Sequence, residues 1–311
     1  MDSTAFRTAL DVDGALLLDG GLATQLEAQG ADLSDSLWSA RLLVEEPDAI
    51  VDAHLAYFRA GARVATTASY QATFEGFARR GLGHDDAVGL LGRSVDLADR
   101  ARSRAQAEGI TGPLFVAGSV GPYGAMLADG SEYRGRYGRT VTQLRDFHRE
   151  RLAVLAAAGP DILAVETIPE LEEAVAVAGL LAEVPGAAAW ISFSCADGGH
   201  LRSGVPVEEA VAAVASTPGV VAVGLNCTAP QHVDELIGRM HVVTTLPIVV
   251  YPNSGEGWDA VARRWTGPGA DRVDAAAAAR WRAAGARLIG GCCRVTPDQV
   301  ALLGAGLAAV G

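Results

Sequence analysis

Eight short apolar runs recur along this chain of 311 residues, and each ends in polar residues or glycine. A run that is apolar at every position, rather than at alternate positions, is typical of a strand buried on both faces of a parallel sheet. We therefore predict eight strands, which lie in the runs ALLLDGG from Ala15, ARVATTAS from Ala62, LFVAGS from Leu114, DILAVET from Asp161, AAWISFS from Ala188, VVAVGLNC from Val220, LPIVVYPN from Leu246 and ARLIGGCC from Ala286.

Helical patterns lie between these runs. EEPDAIVDAHLAYFRAGA has Pro47 in a first turn and apolar residues spaced along one face, and TPDQVALLGAGLAAV opens with Thr296 as N-cap and Gln299 at N3. Strands that alternate with helices eight times favour a closed (β/α)8 barrel, or TIM barrel, over an open doubly wound sheet. We predict one such barrel as a single domain over residues 1–311.

The barrel fold predicts where the functional residues lie. The carboxyl ends of all eight strands meet at one mouth, and active sites of this fold lie there. The residues that end the predicted strands are Asp19, Thr67, Ser119, Glu166, Ser194, Cys227, Asn253 and the pair Cys292 and Cys293. Two long segments without clear periodicity, 122–140 and 253–272, follow the third and seventh strands and are expected to cover this mouth.

The composition excludes several classes of partner. A net charge of −12 argues against a nucleic-acid surface, which needs a basic face. The first residues, MDSTAFRTALDVDG, lack the features of a signal peptide, and no apolar run reaches the ~18 residues that cross a bilayer. Four cysteines are too few for a disulfide scaffold and suit a reducing compartment. We expect a cytoplasmic protein that binds neither nucleic acid nor a membrane.

The adjacent cysteines Cys292 and Cys293 have three possible roles: packed thiols, a disulfide, or two ligands of one metal. Neighbouring α-carbons are about 3.8 Å apart, below the roughly 4.4–6.8 Å usual for a disulfide. Gly290 and Gly291 are expected to free the backbone so that both thiols face one point. Cys227 ends another strand at the same mouth. Three thiolates on one zinc leave a fourth position open, as in catalytic zinc sites.

Several motifs together resemble one family. They are LLLDGGLATQLE, TASYQAT, VAGSVGPYGAMLADGSEYRG, AVETIPE, GLNC, VVYPNSGE and AGARLIGGCCR, and they run in order from about Leu16 to Leu303. This pattern is similar to that of the zinc-dependent homocysteine S-methyltransferases. The block around 118–135 most resembles the branch that takes its methyl group from S-methylmethionine.

The resemblance implies roles for individual residues. It implies one Zn²⁺ per chain, bound by Cys227, Cys292 and Cys293, with homocysteine and a sulfonium methyl donor as substrates. The residues that the resemblance or their position makes candidates for substrate binding are Asp19, Gly20, Gly21, Thr67, Tyr70, Glu166, Asn226 and Asn253. Asn253 is also expected to complete the zinc shell when substrate is absent, and the amides of Gly20 and Gly21 to receive the homocysteine carboxylate. Cys195 has no counterpart in the family and is expected to be a bystander thiol.

The chemistry expected at this site is methyl transfer to a thiolate. A free thiol has a pKa near 8.5, so homocysteine is mostly protonated at pH 7, whereas zinc binding deprotonates a coordinating thiol. Three alternatives remain open. The donor could be betaine, S-adenosylmethionine or a methylated folate; the barrel could be a non-catalytic zinc or redox sensor; or Asp19 and Glu166 could act as an acid/base pair in a lyase or hydrolase.

Overall fold

The computed structural model describes residues 3–11, 14–33, 38–259, 264–266 and 273–309. Within these residues the strands are β1 (Leu16–Leu17), β2 (Val64–Thr66), β3 (Phe115–Val120), β4 (Ile162–Ile168), β5 (Ala189–Phe193), β6 (Val220–Asn226), β7 (Ile248–Tyr251), β8 (Gly257–Asp259), β9 (Arg264–Thr266) and β10 (Ala286–Ile289). The α-helices are α1 (Thr4–Leu10), α2 (Leu22–Ala28), α3 (Trp38–Glu45), α4 (Pro47–Arg59), α5 (Phe74–Arg79), α6 (His84–Ala107), α7 (Tyr123–Leu127), α8 (Val141–Ala157), α9 (Leu171–Leu181), α10 (Val207–Val214), α11 (Val233–His241), α12 (Ala275–Ala283) and α13 (Pro297–Ala308).

Eight of the strands form one parallel sheet, in the order β1-β10-β7-β6-β5-β4-β3-β2. A parallel bridge between Leu18 and Val64 joins the two ends of this order, so the sheet closes on itself. Each of the eight predicted runs contains one strand of this sheet. The structure therefore confirms the predicted (β/α)8 barrel, and β8 and β9 form a separate antiparallel pair outside it.

Side chains from the strands fill the inside of the barrel, and α1 covers one end of that core. Phe6 of α1 is buried against Phe115 and Trp190, with ring centroids 5.1 and 6.3 Å away. Leu10 of the same helix is in the same cluster. The sequence analysis did not predict α1, although it supplies part of the interior packing.

The outer helices follow the predicted patterns. Pro47 begins α4, and its apolar residues Ile50, Val51, Leu55 and Phe58 are all buried. Thr296 caps α13, where its hydroxyl accepts from the Gln299 N–H and the Gln299 side chain accepts from the Thr296 N–H. These contacts satisfy two backbone donors that the first turn of a helix leaves unpaired.

The longest described helix is α6, with 24 residues, and it carries charged residues along its length. In the part of the chain that the structure describes, no helix is both long enough and apolar enough to span a membrane.

Candidate functional site

A cavity of about 690 Å³ opens at the carboxyl ends of the barrel strands. Its wall is formed by Asp19, Gly20, Gly21, Leu22, Ala23, Thr66, Thr67, Ala68, Tyr70, Tyr133, Glu166, Thr167, Cys227, Tyr251, Gly291, Cys292 and Cys293. All the candidate site residues except Asn226 and Asn253 are on this wall. The barrel thus brings together residues that lie up to 274 positions apart in the chain, from 19 to 293.

Three thiols converge at the base of this cavity. The Sγ atom of Cys293 is 3.6 Å from that of Cys227 and 3.9 Å from that of Cys292. All three sulfur atoms lie within 4.8 Å of one another, a grouping that could hold a metal ion. Hydrogen bonds from the other two thiols lower the pKa of Cys227, and the Cys227 thiolate in turn raises the pKa of Cys292 and Cys293.

Close approach of the backbone at Gly290 and Gly291 positions the two adjacent cysteines. A β-carbon at Gly290 would lie 2.6 Å from Leu18 Cβ, and one at Gly291 would lie 2.2 Å from a methyl carbon of Val295. Neither glycine has a positive φ. The expectation that these glycines free the backbone to turn stays a prediction, and close packing gives a second reason for them: Gly290 lies against the end of β1, and Gly291 lies against Val295.

Two buried carboxylates face the thiols. Asp19 accepts hydrogen bonds from the N–H (2.7 Å) and the hydroxyl (3.0 Å) of Thr66, and Glu166 accepts one from the Ser119 hydroxyl. Burial raises the pKa of Asp19 to about 8 and that of Glu166 to about 7. Neither carboxylate forms an ion pair with a basic side chain among the described residues. The cavity therefore contains two acidic groups that no basic residue neutralises.

Gly20 and Gly21 line the cavity, but only one of their amides is free. The Gly21 N–H donates to the Val295 carbonyl at 3.0 Å, so it is not available to a substrate carboxylate, contrary to the sequence-based expectation. The hydroxyl of Tyr57 donates to the carbonyls of Gly21 and Val295, both at 2.9 Å. The Gly20 amide makes no hydrogen bond to the residues that the structure describes.

Asn226 lies behind the cavity wall and connects three strands. Its side-chain oxygen accepts from the Thr167 N–H at 2.7 Å and the Ser192 hydroxyl at 2.9 Å, and its amide donates to the Thr167 hydroxyl at 2.8 Å. Thr167 has a φ of +63°, which is unusual for a β-branched residue, and Cys227 has a φ of +46°. Asn226 therefore holds Thr167 in a strained conformation beside the thiols.

Asn253 does not reach the cavity. It is buried, its side-chain oxygen accepts from the Gly255 N–H at 2.9 Å, and its own N–H donates to the Thr228 carbonyl at 3.1 Å. The oxygen that is expected to complete the metal shell thus also accepts a hydrogen bond in this local turn, and its role at the metal stays a prediction. Much of the segment 253–272 lies outside the described residues.

Thr67 and Tyr70, predicted at the second strand end, both line the cavity. The Thr67 hydroxyl is 2.7 Å from that of Ser69 and accepts from the Ser119 N–H at 2.9 Å. Thr67 is thus tied to the neighbouring strand, whereas Tyr70 presents an aromatic side chain to the same space as Cys227.

Tyr133 is a site residue that sequence reasoning missed. Its hydroxyl is 3.4 Å from the Cys227 sulfur. It lies in the segment 122–140, which was predicted to cover the mouth. Two glutamates at the start of α9 fix this segment: Glu170 accepts from the N–H of Arg136, and Glu173 accepts from that of Tyr123 at 2.6 Å.

Cys195 lies apart from the three thiols. It is buried, its N–H donates to the Thr228 hydroxyl at 2.9 Å, and burial raises the pKa of its thiol to about 12. Among the described residues it belongs to no group of ligands that could hold a metal.

Comparison with known proteins places this site in a family. The model of the homocysteine S-methyltransferase family matches residues 16–306. The chain is 52% identical over 299 residues to a homocysteine S-methyltransferase of Escherichia coli, with 96% of each chain covered, and 47% identical over 295 residues to one of Bacillus subtilis, with 94% of each covered. The crystal structure of the E. coli homocysteine methyltransferase MmuM in its metallated form superposes with a TM-score of 0.87 at 50% identity, covering 96% of this chain and 98% of that one. The family match, the identities and the shared barrel agree, and the chain belongs to the homocysteine S-methyltransferase family.

Proposed function

We propose that this protein transfers a methyl group from S-methylmethionine to the sulfur of homocysteine, which is bound as a thiolate at a zinc ion held by Cys227, Cys292 and Cys293. The observation that carries the proposal is the meeting of three thiols and two unpaired carboxylates in one cavity. A thiol substrate with an ammonium group complements both sets of groups at once.

The three sulfur atoms fit zinc. Zinc–sulfur bonds of about 2.3 Å in a tetrahedral arrangement separate the sulfur atoms by about 3.8 Å. The observed distances from Cys293 Sγ are 3.6 and 3.9 Å. The crystal structure of the E. coli relative in a metallated form supports a metal here as well. Zinc bound by these thiolates would lower the pKa of the homocysteine thiol, so that the substrate is held as the nucleophilic thiolate.

Asp19 and Glu166 are placed to hold the ammonium group of homocysteine. Burial raises the pKa of both carboxyl groups, and no cation among the described residues is paired with either. A substrate ammonium would favour their ionised forms, since an opposite charge nearby stabilises the charged state. The free N–H of Gly20 is a candidate donor to the substrate carboxylate. These contacts orient the thiol toward Cys227 and its partners without taking part in bond breaking.

The aromatic side chains on the cavity wall support a cationic methyl donor. Tyr70 and Tyr133 line the same space as the three thiols. The face of an aromatic ring attracts a cation, and a sulfonium carries a formal positive charge. In the transfer, the bond from methyl carbon to sulfonium sulfur breaks as the bond to the homocysteine sulfur forms, so both products are neutral thioethers. This step requires alignment of the two sulfur atoms rather than a general base.

The single-domain assignment over residues 1–311 and a cytoplasmic location remain predictions that accompany this proposal. The first rests on the barrel, which uses strands from residue 16 to residue 289. The second rests on the small number of cysteines.

A panel of methyl donors tests the proposed reaction. We expect kcat/KM with S-methylmethionine to exceed that with betaine by about tenfold or more, because a thioether leaves a sulfonium more readily than an amine leaves a quaternary ammonium; tenfold corresponds to about 1.4 kcal/mol in the barrier. S-adenosylmethionine serves as the control that keeps the sulfonium and the amino-acid group but adds a large substituent. Preference for betaine would contradict the proposed donor.

A further inference from the structure

A second cavity, of about 1090 Å³, lies next to the metal cavity, and Tyr133 lines both. The wall of the second cavity is formed by residues of two segments, 133–136 and 196–204. Three arginines, Arg134, Arg136 and Arg202, contribute to this wall, against one acidic residue, Asp197. The cavity is therefore basic, although the whole chain has a net charge of −12.

The acidic residue and one of the arginines already have partners. Asp197 accepts from the N–H of His200 at 2.9 Å, and its Oδ1 atom lies 3.0 Å from Nδ1 of the same residue. Arg134 forms an ion pair with Asp129, with its Nη2 atom 3.5 Å from the carboxylate. Two of the three guanidinium groups on the wall remain.

The guanidinium groups of Arg136 and Arg202 have no acidic partner. Neither forms an ion pair with a residue in the described part of the chain. Arg136 donates from Nε to the Ser203 carbonyl at 2.8 Å. The guanidinium carbon of Arg202 lies 5.7 Å from the centre of the Tyr133 ring, and its Nε atom is buried without a hydrogen-bond partner. The ring attracts the charge but supplies no oxygen to accept from that N–H, so the group remains unsatisfied.

Backbone hydrogen bonds fix both arginines on this wall. Arg136 has a φ of +58°, a left-handed conformation that is uncommon for a residue other than glycine, and its N–H donates to the Glu170 carboxylate. The N–H of Arg202 donates to the Ser194 carbonyl, just after β5, at 3.0 Å. Strained residues of this kind cluster where a protein binds a ligand. An unpaired charge that is partly buried also costs free energy, which a bound counter-ion would recover.

We infer that Arg136 and Arg202 bind an oxyanion, a carboxylate or a phosphate group, in the second cavity. A guanidinium is planar and always charged, and its N–H groups form a fork that matches the two oxygens of such an anion. The bound anion neutralises the two unpaired charges and gives the buried Nε of Arg202 an acceptor. This site is separate from the three thiols, and its existence does not depend on the proposed function.

The oxyanion has two possible sources. One is the carboxylate of the methyl donor, because Tyr133 connects the two cavities: its hydroxyl is 3.4 Å from the Cys227 sulfur and its ring contacts Arg202. This source rests on the proposed function. The other source is a free anion, such as inorganic phosphate, that binds beside Tyr133 without taking part in the reaction. The two sources differ in what loss of the arginines does to the KM of the donor.

Calorimetric titration with inorganic phosphate tests the site itself. Phosphate is added to the zinc-loaded wild-type protein and to the variants Arg136→Gln and Arg202→Gln. We expect each variant to weaken phosphate binding by about tenfold or more, as for loss of a charge-assisted contact. Arg202→Lys keeps the charge but not the fork, so it should recover only part of the affinity. Phosphate bound at the zinc ion instead would keep its affinity in all three variants.

Two methyl donors distinguish the sources of the oxyanion. They are S-methylmethionine and 3-dimethylsulfoniopropylamine, which is S-methylmethionine without its carboxylate. If the donor carboxylate occupies the site, Arg136→Gln and Arg202→Gln should raise the KM for S-methylmethionine about tenfold or more and leave that for the carboxylate-free donor unchanged. If a free anion occupies the site, the KM of both donors should stay at the wild-type value.

Arg139→Gln is the matched control. Arg139 lies seven positions or fewer from the other arginines of its segment and places its guanidinium carbon 5.4 Å from the centre of the Tyr123 ring, but it lines neither cavity. This variant removes the same charge and the same kind of ring contact as Arg202→Gln, so its phosphate affinity and both donor KM values should match the wild type. The unfolding temperature of each variant shows whether it is folded.

Three results would overturn the inference. One is that Arg136→Gln and Arg202→Gln, both folded, change neither phosphate binding nor the KM for S-methylmethionine. Another is an equal rise in the KM of both donors without a loss of phosphate affinity, which would show a general effect of charge on the thiolates. The third is an equal loss of phosphate affinity in Arg139→Gln. A wild-type protein that binds phosphate through these arginines but cannot use S-methylmethionine would refute the proposed function and leave the oxyanion site standing.

Discussion

The variants Cys227→Ser, Cys292→Ser and Cys293→Ser are each expected to lose bound zinc and methyl transfer together. The three sulfur atoms form one group, with Cys293 within 3.9 Å of both others, so each variant removes a ligand from the same centre. We expect kcat/KM to fall by more than about a hundredfold, which exceeds the 10–100-fold loss typical of an outer-shell partner. Zinc content by mass spectrometry of the purified protein, measured beside the rate, checks this.

Cys195→Ser is the matched control for these three variants. Cys195 is a buried thiol at the end of the neighbouring strand, but it lies outside the ligand group. The Cys195→Ser variant should retain both its zinc and its methyl-transfer activity. A zinc-free Cys292→Ser protein that is fully active would contradict the proposed role of the thiols and would favour a barrel enzyme that uses Asp19 and Glu166 for acid/base chemistry.

Glu166→Gln is expected to raise the KM for homocysteine by about ten- to a hundredfold, because it removes a charge-assisted contact worth roughly 1.5–3 kcal/mol. Glutamine keeps the shape of the side chain and can still accept from the Ser119 hydroxyl. Zinc content should be unchanged, and part of kcat should remain at saturating homocysteine. Steady-state kinetics at varied homocysteine and fixed donor measure the effect.

A second buried carboxylate provides the control for Glu166. Glu173 also has a pKa raised by burial, to about 8, but it lies outside the cavity, where it holds the Tyr123 N–H and the His148 side chain. Glutamine at this position can still accept from the Tyr123 N–H and keep the segment in place, so Glu173→Gln should leave the homocysteine KM unchanged. If Glu166→Gln kept a normal KM while kcat collapsed, Glu166 would act in the chemical step, and its assignment as an anchor for the ammonium would be wrong.

The barrel could be predicted because its strands are buried on both faces. Such strands are apolar along most of their length, as in β4, whose seven residues are all buried and whose residues 162–165 are all apolar. Helix α1 could not be predicted in the same way. Phe6 is buried only because the closed barrel presents Phe115 and Trp190 to it, a contact that no local pattern encodes.

The metal site was predictable for a related reason. In a barrel the strand ends converge, so Cys227 and the pair Cys292 and Cys293 could be placed together from their positions alone. The states of two backbone and side-chain groups at the site depend on local hydrogen bonds that the sequence does not reveal. The Gly21 N–H is already bonded to Val295, and the Asn253 side chain is bonded to Gly255.

Tyr133 illustrates the limit of sequence patterns at this site. It lies in a segment without helical or strand periodicity, where side-chain direction cannot be inferred. The segment that carries it donates backbone hydrogen bonds to Glu170 and Glu173, which lie at the start of a later helix. The length of the segment indicated a role at the mouth, but only the structure shows which of its side chains reaches Cys227.

X-ray absorption at the zinc edge, recorded without and with homocysteine, tests most directly whether the substrate thiolate binds the metal held by the three cysteines. Without homocysteine we expect three sulfur ligands, from Cys227, Cys292 and Cys293, and one lighter atom. With saturating homocysteine we expect four sulfur ligands at about 2.3 Å. Three sulfur ligands in both spectra, from a protein shown to bind homocysteine, would contradict direct coordination of the substrate.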